Sequence, residues 1–116
     1  MSKTPEGVIQ LAILKHLRAK GIFCWRNNTM GLWDPKLNLY RSNPYAMPGA
    51  PDIICISPCT TKQQGGVFVG IEVKTPQGKQ QSADQLLFEK RCATCNAEYH
   101  VVKSLDEMKK LDYLWR

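Results

Sequence analysis

The chain has 116 residues, enough for one domain with a real core and too few for a second. Its 43% hydrophobic and 22% charged residues are those of an ordinary globular protein, and no run of about eighteen apolar residues exists to form a membrane-spanning helix. Net charge is +6 and uneven: residues 1–45 hold seven Lys and Arg against two acids, and residues 46–116 hold nine against eight. A basic first half suits a phosphate-backbone partner, because neutralised phosphates release counterions, although a generically basic surface looks the same. The first residues lack the apolar segment of a signal peptide, so a cytoplasmic chain is expected.

Thr4-Pro5-Glu6 opens a helix with a capping hydroxyl, a proline at the first helical position and an acid in the first turn. The pattern predicts a helix over 5–20, stopped by Gly21, with Ile9, Ile13, Leu14 and Leu17 on one face. Glu6 and Gln10 extend that face by three- and four-residue steps, which is unusual for an acid. The helix dipole accounts for Glu6 as well as a site role does.

Alternation predicts a strand over 22–27, with Arg26 on the side of Ile22 and Cys24. Residues 28–48 read as a long irregular loop with turns at Asp34-Pro35 and Asn43-Pro44, and a short strand over 37–41 pairing with Trp33 or with the preceding strand. Together with Arg26 this loop carries Asn28, Trp33, Lys36, Tyr40, Arg41 and Tyr45. Interleaved cations and aromatics suit a DNA backbone and exposed bases, and equally suit a loop packed on its own rings. Arg26 and Arg41, then Lys36, are the candidate phosphate contacts.

Gly49-Ala50-Pro51-Asp52 leads into the apolar run Ile53-Ile54-Cys55-Ile56, then a polar turn over 57–66, then a second β-branched run over 67–74. Two adjacent strands are expected. Asp52 starts the first, while Glu72 and Lys74, two apart in the second, point to the same face. Charge on strands buried on both faces needs a reason. One is a hard divalent cation such as Mg²⁺ or Mn²⁺, held by Asp52 and Glu72, with Lys74 orienting water or offsetting charge on phosphorus. The other is an ordinary Glu72–Lys74 pair at a sheet edge, with Asp52 a turn residue.

Thr75-Pro76-Gln77-Gly78 is a turn, and Lys79 and Gln80 precede a second helix where they could touch phosphate. Ser82-x-x-Gln85 forms a capping box that starts this helix, expected to end near 92. A strand over 98–103 follows, parallel to the Glu72 strand, then a Ser104-capped helix ending near 114. The order α-β-(β)-β-β-α-β-α makes an α/β sandwich around a mixed β-sheet flanked by helices. Five cysteines form no evident disulfide framework. Zinc at Cys92-x-x-Cys95 would need Cys55 and Cys59 as partners, yet Cys55 sits within an apolar strand.

The pattern Gly49-x-Pro51-Asp52, Glu72-x-Lys74 and Gln85, with an early helical Glu6, resembles the VRR-NUC (virus-type replication-repair nuclease) family of the PD-(D/E)XK nuclease superfamily, from about residue 5 to 102. The resemblance implies a restriction-endonuclease-like core and Mg²⁺- or Mn²⁺-dependent cleavage of DNA phosphodiesters. It implies that Asp52, Glu72 and the backbone carbonyl of Val73 ligate the metal, that Gln85 orients Lys74 or the water, and that Glu6 assists. Small stand-alone members resemble branched-DNA nucleases acting as homodimers on four-way junctions. The expected function is therefore a Holliday-junction-resolving DNA endonuclease in one domain spanning 1–116. Its rivals are a nuclease preferring flaps or other DNA ends, and a non-catalytic nucleic-acid-binding module of the same fold.

Overall fold

Helix α1 (Pro5–Ala19) begins where its cap predicts: the Thr4 side chain accepts a hydrogen bond from the Gly7 amide at 3.0 Å, and the chain turns at Lys20 and Gly21. The structure, a computed structural model, describes residues 4–27, 32–41, 44–59, 64–78 and 80–115. Strand β1 (Phe23–Arg26) follows α1, and β2 (Leu32–Asp34) pairs antiparallel with β3 (Leu39–Arg41) as a separate hairpin. The long segment expected to be irregular is thus partly ordered by its own turn. The Asp34 carboxylate accepts from the Lys36 and Leu37 amides, and Trp33 and Tyr40 meet edge to face at 5.2 Å.

Strand β4 (Ile53–Cys59) and strand β5 (Gln64–Val73) form the centre of a four-stranded sheet ordered β1-β4-β5-β6, where β6 spans Glu98–Val102. Both central strands run further than their apolar residues suggest. The expected turn over 57–66 shrinks because β4 carries on through Pro58, where its register against β5 shifts between Ser57 and Cys59. Helix α2 (Ala83–Thr94) links β5 to β6, which pair in parallel as expected.

Side-chain alternation divides the sheet. Cys24, Ile53, Cys55, Val69, Ile71, Val73 and Val102 join Ile13 and Leu17 of α1 in the main core, closed by Met108 and Leu114. Phe68 and Tyr99 belong to the opposite face, where Phe88 of α2 packs on both, at 6.3 and 5.7 Å. Glu72 lies on that same face, between two core residues, Ile71 and Val73, that point the other way.

The last helix is shorter than expected. Helix α3 spans Leu105–Lys109, and a tighter 3₁₀ turn, Asp112–Trp115, follows. Met108, Leu111 and Leu114 are spaced by threes, a spacing that three residues per turn keeps in line and 3.6 does not. Leu114 is thereby fully buried, its carbonyl accepting from the buried Ser57 hydroxyl at 2.7 Å. Asp112 also reaches His16 and Lys20 of α1, at 3.3 and 3.6 Å.

Candidate active site

The loop before β4 is pressed into place from three sides. Gly49 has φ +80, and a Cβ there would overlap the Asp84 carbonyl and sit 2.7 Å from the Gln85 nitrogen, so the first turn of α2 rests on bare backbone. Pro51 is buried over Gly70 of β5, where a Cβ would come within 2.6 Å of the proline Cγ. From β1's end, the Asn27 amide donates to the Asp52 carbonyl at 2.8 Å and its side chain to the Pro51 carbonyl at 3.1 Å. These contacts explain the Gly-x-Pro-Asp spelling as packing. Their result is that Asp52 Oδ2 accepts the Val73 amide at 2.8 Å, which carries its carboxylate across to the end of β5.

Glu72 is 4% exposed and surrounded by partners. Gln85 Nε2 donates to Glu72 Oε2 at 2.9 Å, and Lys74 Nζ lies 3.7 Å from the same oxygen. Burial first, then the Asp52 charge, pushes the Glu72 carboxyl up to about 8; Lys74 opposes this, while a hydrogen bond with Asp52 and the Glu6 charge add to it. One lysine does not compensate two adjoining carboxylates, and a carboxylate pair short of positive charge is a donor set suited to a hard cation. Among the described residues no group of three or more His, Cys, Asp or Glu gathers as ligands. Waters and substrate oxygens would complete the shell of an ion held here, as magnesium prefers. A cavity of about 460 Å³ opens beside the pair, walled by residues 46–50, Ser82, Asp84 and Gln85.

Of the residues read as a site, Asp52, Glu72, Lys74 and Gln85 come together, and the Glu6 charge reaches Glu72 from α1. Gln85 makes two side-chain bonds at once. Its Oε1 accepts from the Ser82 amide at 2.9 Å, completing the capping box, while its Nε2 holds Glu72. Its side-chain partner in the site is the carboxylate, whose Oε2 Lys74 also approaches. Val73 enters through its amide, on Asp52. Arg26 is exposed on β1, next to Asn27. Lys36 and Arg41 are exposed on the β2–β3 hairpin, with Arg41 Nη1 3.5 Å from Asp34. Lys79 and Asn28 lie outside the described residues.

Cys55 faces Cys24 across β1 and β4 inside the core, and burial pushes its thiol up to about 12, which makes it inert. Cys92 belongs to α2, on the other side of the sheet. Three contributors escaped the sequence reading: Asn27, Asp84 and Tyr99. Tyr99 stands on β6 opposite Gly70, and burial and the Glu72 charge push its phenol up. Asp84 had a signal, an acid in the first turn after a serine cap. Asn27 and Tyr99 act through tertiary contacts that no spacing announces.

No family model matches the sequence, and no curated protein matches it. Among solved structures, a chain described as "VRR_NUC domain" matches with a TM-score of 0.62 at 25% identity, over 93% of this chain and 94% of that one. The likeness supports the VRR-NUC family. The mixed sheet with flanking helices is the VRR-NUC nuclease-like fold, and the carboxylate pair stands at one end of it.

Proposed function

We propose that the chain is a nuclease domain spanning 1–116 that hydrolyses DNA phosphodiester bonds with Mg²⁺ or Mn²⁺, and specifically an endonuclease for branched DNA that resolves Holliday junctions as a homodimer. The nuclease reading is supported by the likeness to a VRR_NUC domain. The observation that carries it is the meeting of Asp52, Glu72 and Lys74 at one sheet end beside an open cavity.

Asp52 and Glu72, with the Val73 carbonyl, would hold the cation. When bound, such an ion lowers the pKa of water and draws charge from a phosphate oxygen. Glu72 must be deprotonated to serve, and Gln85 fixes its rotamer by a hydrogen bond that stays in place in either state of charge. Lys74 holds its ammonium against Glu72, where it can orient the attacking water or offset charge growing on phosphorus. Water's oxygen then bonds to phosphorus, the P–O bond to the leaving sugar breaks, and that oxygen takes a proton. Arg26, Lys36, Arg41 and Lys79 supply backbone contacts, with Arg41 shared between Asp34 and phosphate. A single cleft cuts one strand, so paired cuts in a four-way junction call for two copies about a two-fold axis.

The test is cleavage of a labelled four-way junction, flap and duplex, with Mg²⁺ or Mn²⁺, by the wild type and by Asp52→Asn. Asparagine keeps an oxygen for the Val73 amide, so the fold survives while the charge is lost. A non-catalytic binding module would leave every substrate whole with either protein. Preference for the flap would move the specificity away from junctions and leave the nuclease reading standing.

A further inference from the structure

A second cavity, of about 500 Å³, lies along α1 on the side away from Asp112, and nothing in the cleavage chemistry uses it. It is lined by Gln10, Lys15 and Arg18 of α1, by Arg26 of β1, and by the apolar Leu11 and Leu14. Three features set it apart from a chance surface groove. Its cations are uncompensated: Lys20 is engaged by Asp112 and Arg41 by Asp34, but among the described residues no carboxylate pairs with Lys15, Arg18 or Arg26. Arg18 is also held in place, its guanidinium donating to the Cys24 carbonyl at 3.2 Å. And Gln10, 8% exposed, has a buried Oε1 with no hydrogen-bond partner among the described residues. A buried amide oxygen left unmade is costly, so an acceptor at the edge of a basic cavity looks for a donor from outside.

One end of the cavity adjoins the carboxylate site. Gly7, which lines it, follows Glu6 directly, and Arg26 precedes Asn27, whose amide is bonded to Asp52. From Gly7 to Arg18 the helix advances about 16 Å at its usual rise per residue. At about 3.4 Å per phosphate along one duplex strand, that is some five nucleotides of reach.

We infer that this cavity is a strand-anchoring subsite: it takes a nucleotide of the DNA away from the scissile phosphate, with Lys15, Arg18 and Arg26 on the backbone. Gln10 Oε1 accepts from an amino or imino donor on the base. Leu11 and Leu14 offer that base an apolar surface. The choice of DNA as the ligand rests on the proposed function, but the binding chemistry is separate from cleavage.

The test is metal-free binding, by fluorescence anisotropy of labelled duplex and single-stranded oligonucleotides in EDTA across a salt series. Lys15→Ala/Arg26→Ala, both at exposed positions, is compared with a control of equal charge loss, Lys90→Ala/Lys109→Ala, and thermal melts show that each is folded. The cavity variant is expected to bind about tenfold or more weakly, with a salt slope for duplex reduced by about 1.8, which is two lost phosphate contacts. Gln10→Leu is expected to weaken single-strand binding several-fold with its salt slope unchanged, since no charge is removed. An unchanged slope in the cavity variant, or an equal loss in the control, overturns the subsite. Wild-type binding by Gln10→Leu overturns the base contact. Wild-type protein that anchors DNA this way yet never cuts with Mg²⁺ or Mn²⁺ would refute the nuclease reading and leave this one intact.

Discussion

Gln85 holds Glu72: its Nε2 donates to Oε2 at 2.9 Å while its Oε1 caps the helix that brings it there. One side chain therefore ties the start of α2 to a carboxylate of the candidate site. Gln85→Ala should remove both ends of that tie. The lost capping bond costs about 1 kcal/mol. The loosened Glu72 should cost activity about 10- to 100-fold, the range for residues that orient a metal ligand. Urea unfolding and kcat/KM on the preferred DNA measure the two separately. A stability loss with full activity would mean that Gln85 is only a cap.

The raised Glu72 carboxyl has a consequence for stability without metal. The folded protein keeps the Glu72 proton up to about 8, whereas the unfolded chain releases it near 4.5. Between those values unfolding releases a proton, so stability falls as pH rises, and it levels off above the folded value. The stability of wild type relative to Glu72→Gln should therefore decline from pH 5 to pH 8 in EDTA, since other titrations cancel in the difference. Added Mg²⁺ should recover more stability at pH 8 than at pH 5, because a ligand must be deprotonated to bind. Paired melts at both pH values check this, and a flat difference would show that Glu72 is already ionised when folded.

Gly49 supports the site from outside it. Gly49→Ala places a side chain at φ +80 and against the Asp84 carbonyl, so either the loop or the start of α2 must shift. A destabilisation of about 1–3 kcal/mol is expected from the backbone conformation alone. Activity should fall further than stability does, because moving α2 takes Gln85 off Glu72. Denaturant midpoints alongside cleavage rates test both parts.

Much of this was written in local chemistry. Thr4-Pro5, Ser82-x-x-Gln85 and Ser104 mark their helix starts through side-chain bonds to amides three residues on, and such bonds are visible as spacing. Glu72 and Lys74 stood out because charge broke an apolar alternation. What was hidden depends on partners far along the chain. Pro58 and the glycines of residues 65–66 look like a turn, yet the β4–β5 pairing carries both strands past them. The break after Lys109 follows from seating Leu114 beneath β4, and the Ser57 hydroxyl that donates to its carbonyl is fifty-seven residues away. Gly49 carries no hint that a helix thirty-five residues later rests on it.

The central claim is that Asp52 and Glu72 share a divalent cation that cuts DNA, and the most direct measurement is single-turnover cleavage of a labelled four-way junction against added Mg²⁺ or Mn²⁺. The wild type should cut only with metal. Asp52→Asn and Glu72→Gln, each folded by thermal melt, should each lose about a hundredfold or more. Metal-dependent cutting that survives unchanged in both variants would contradict the account.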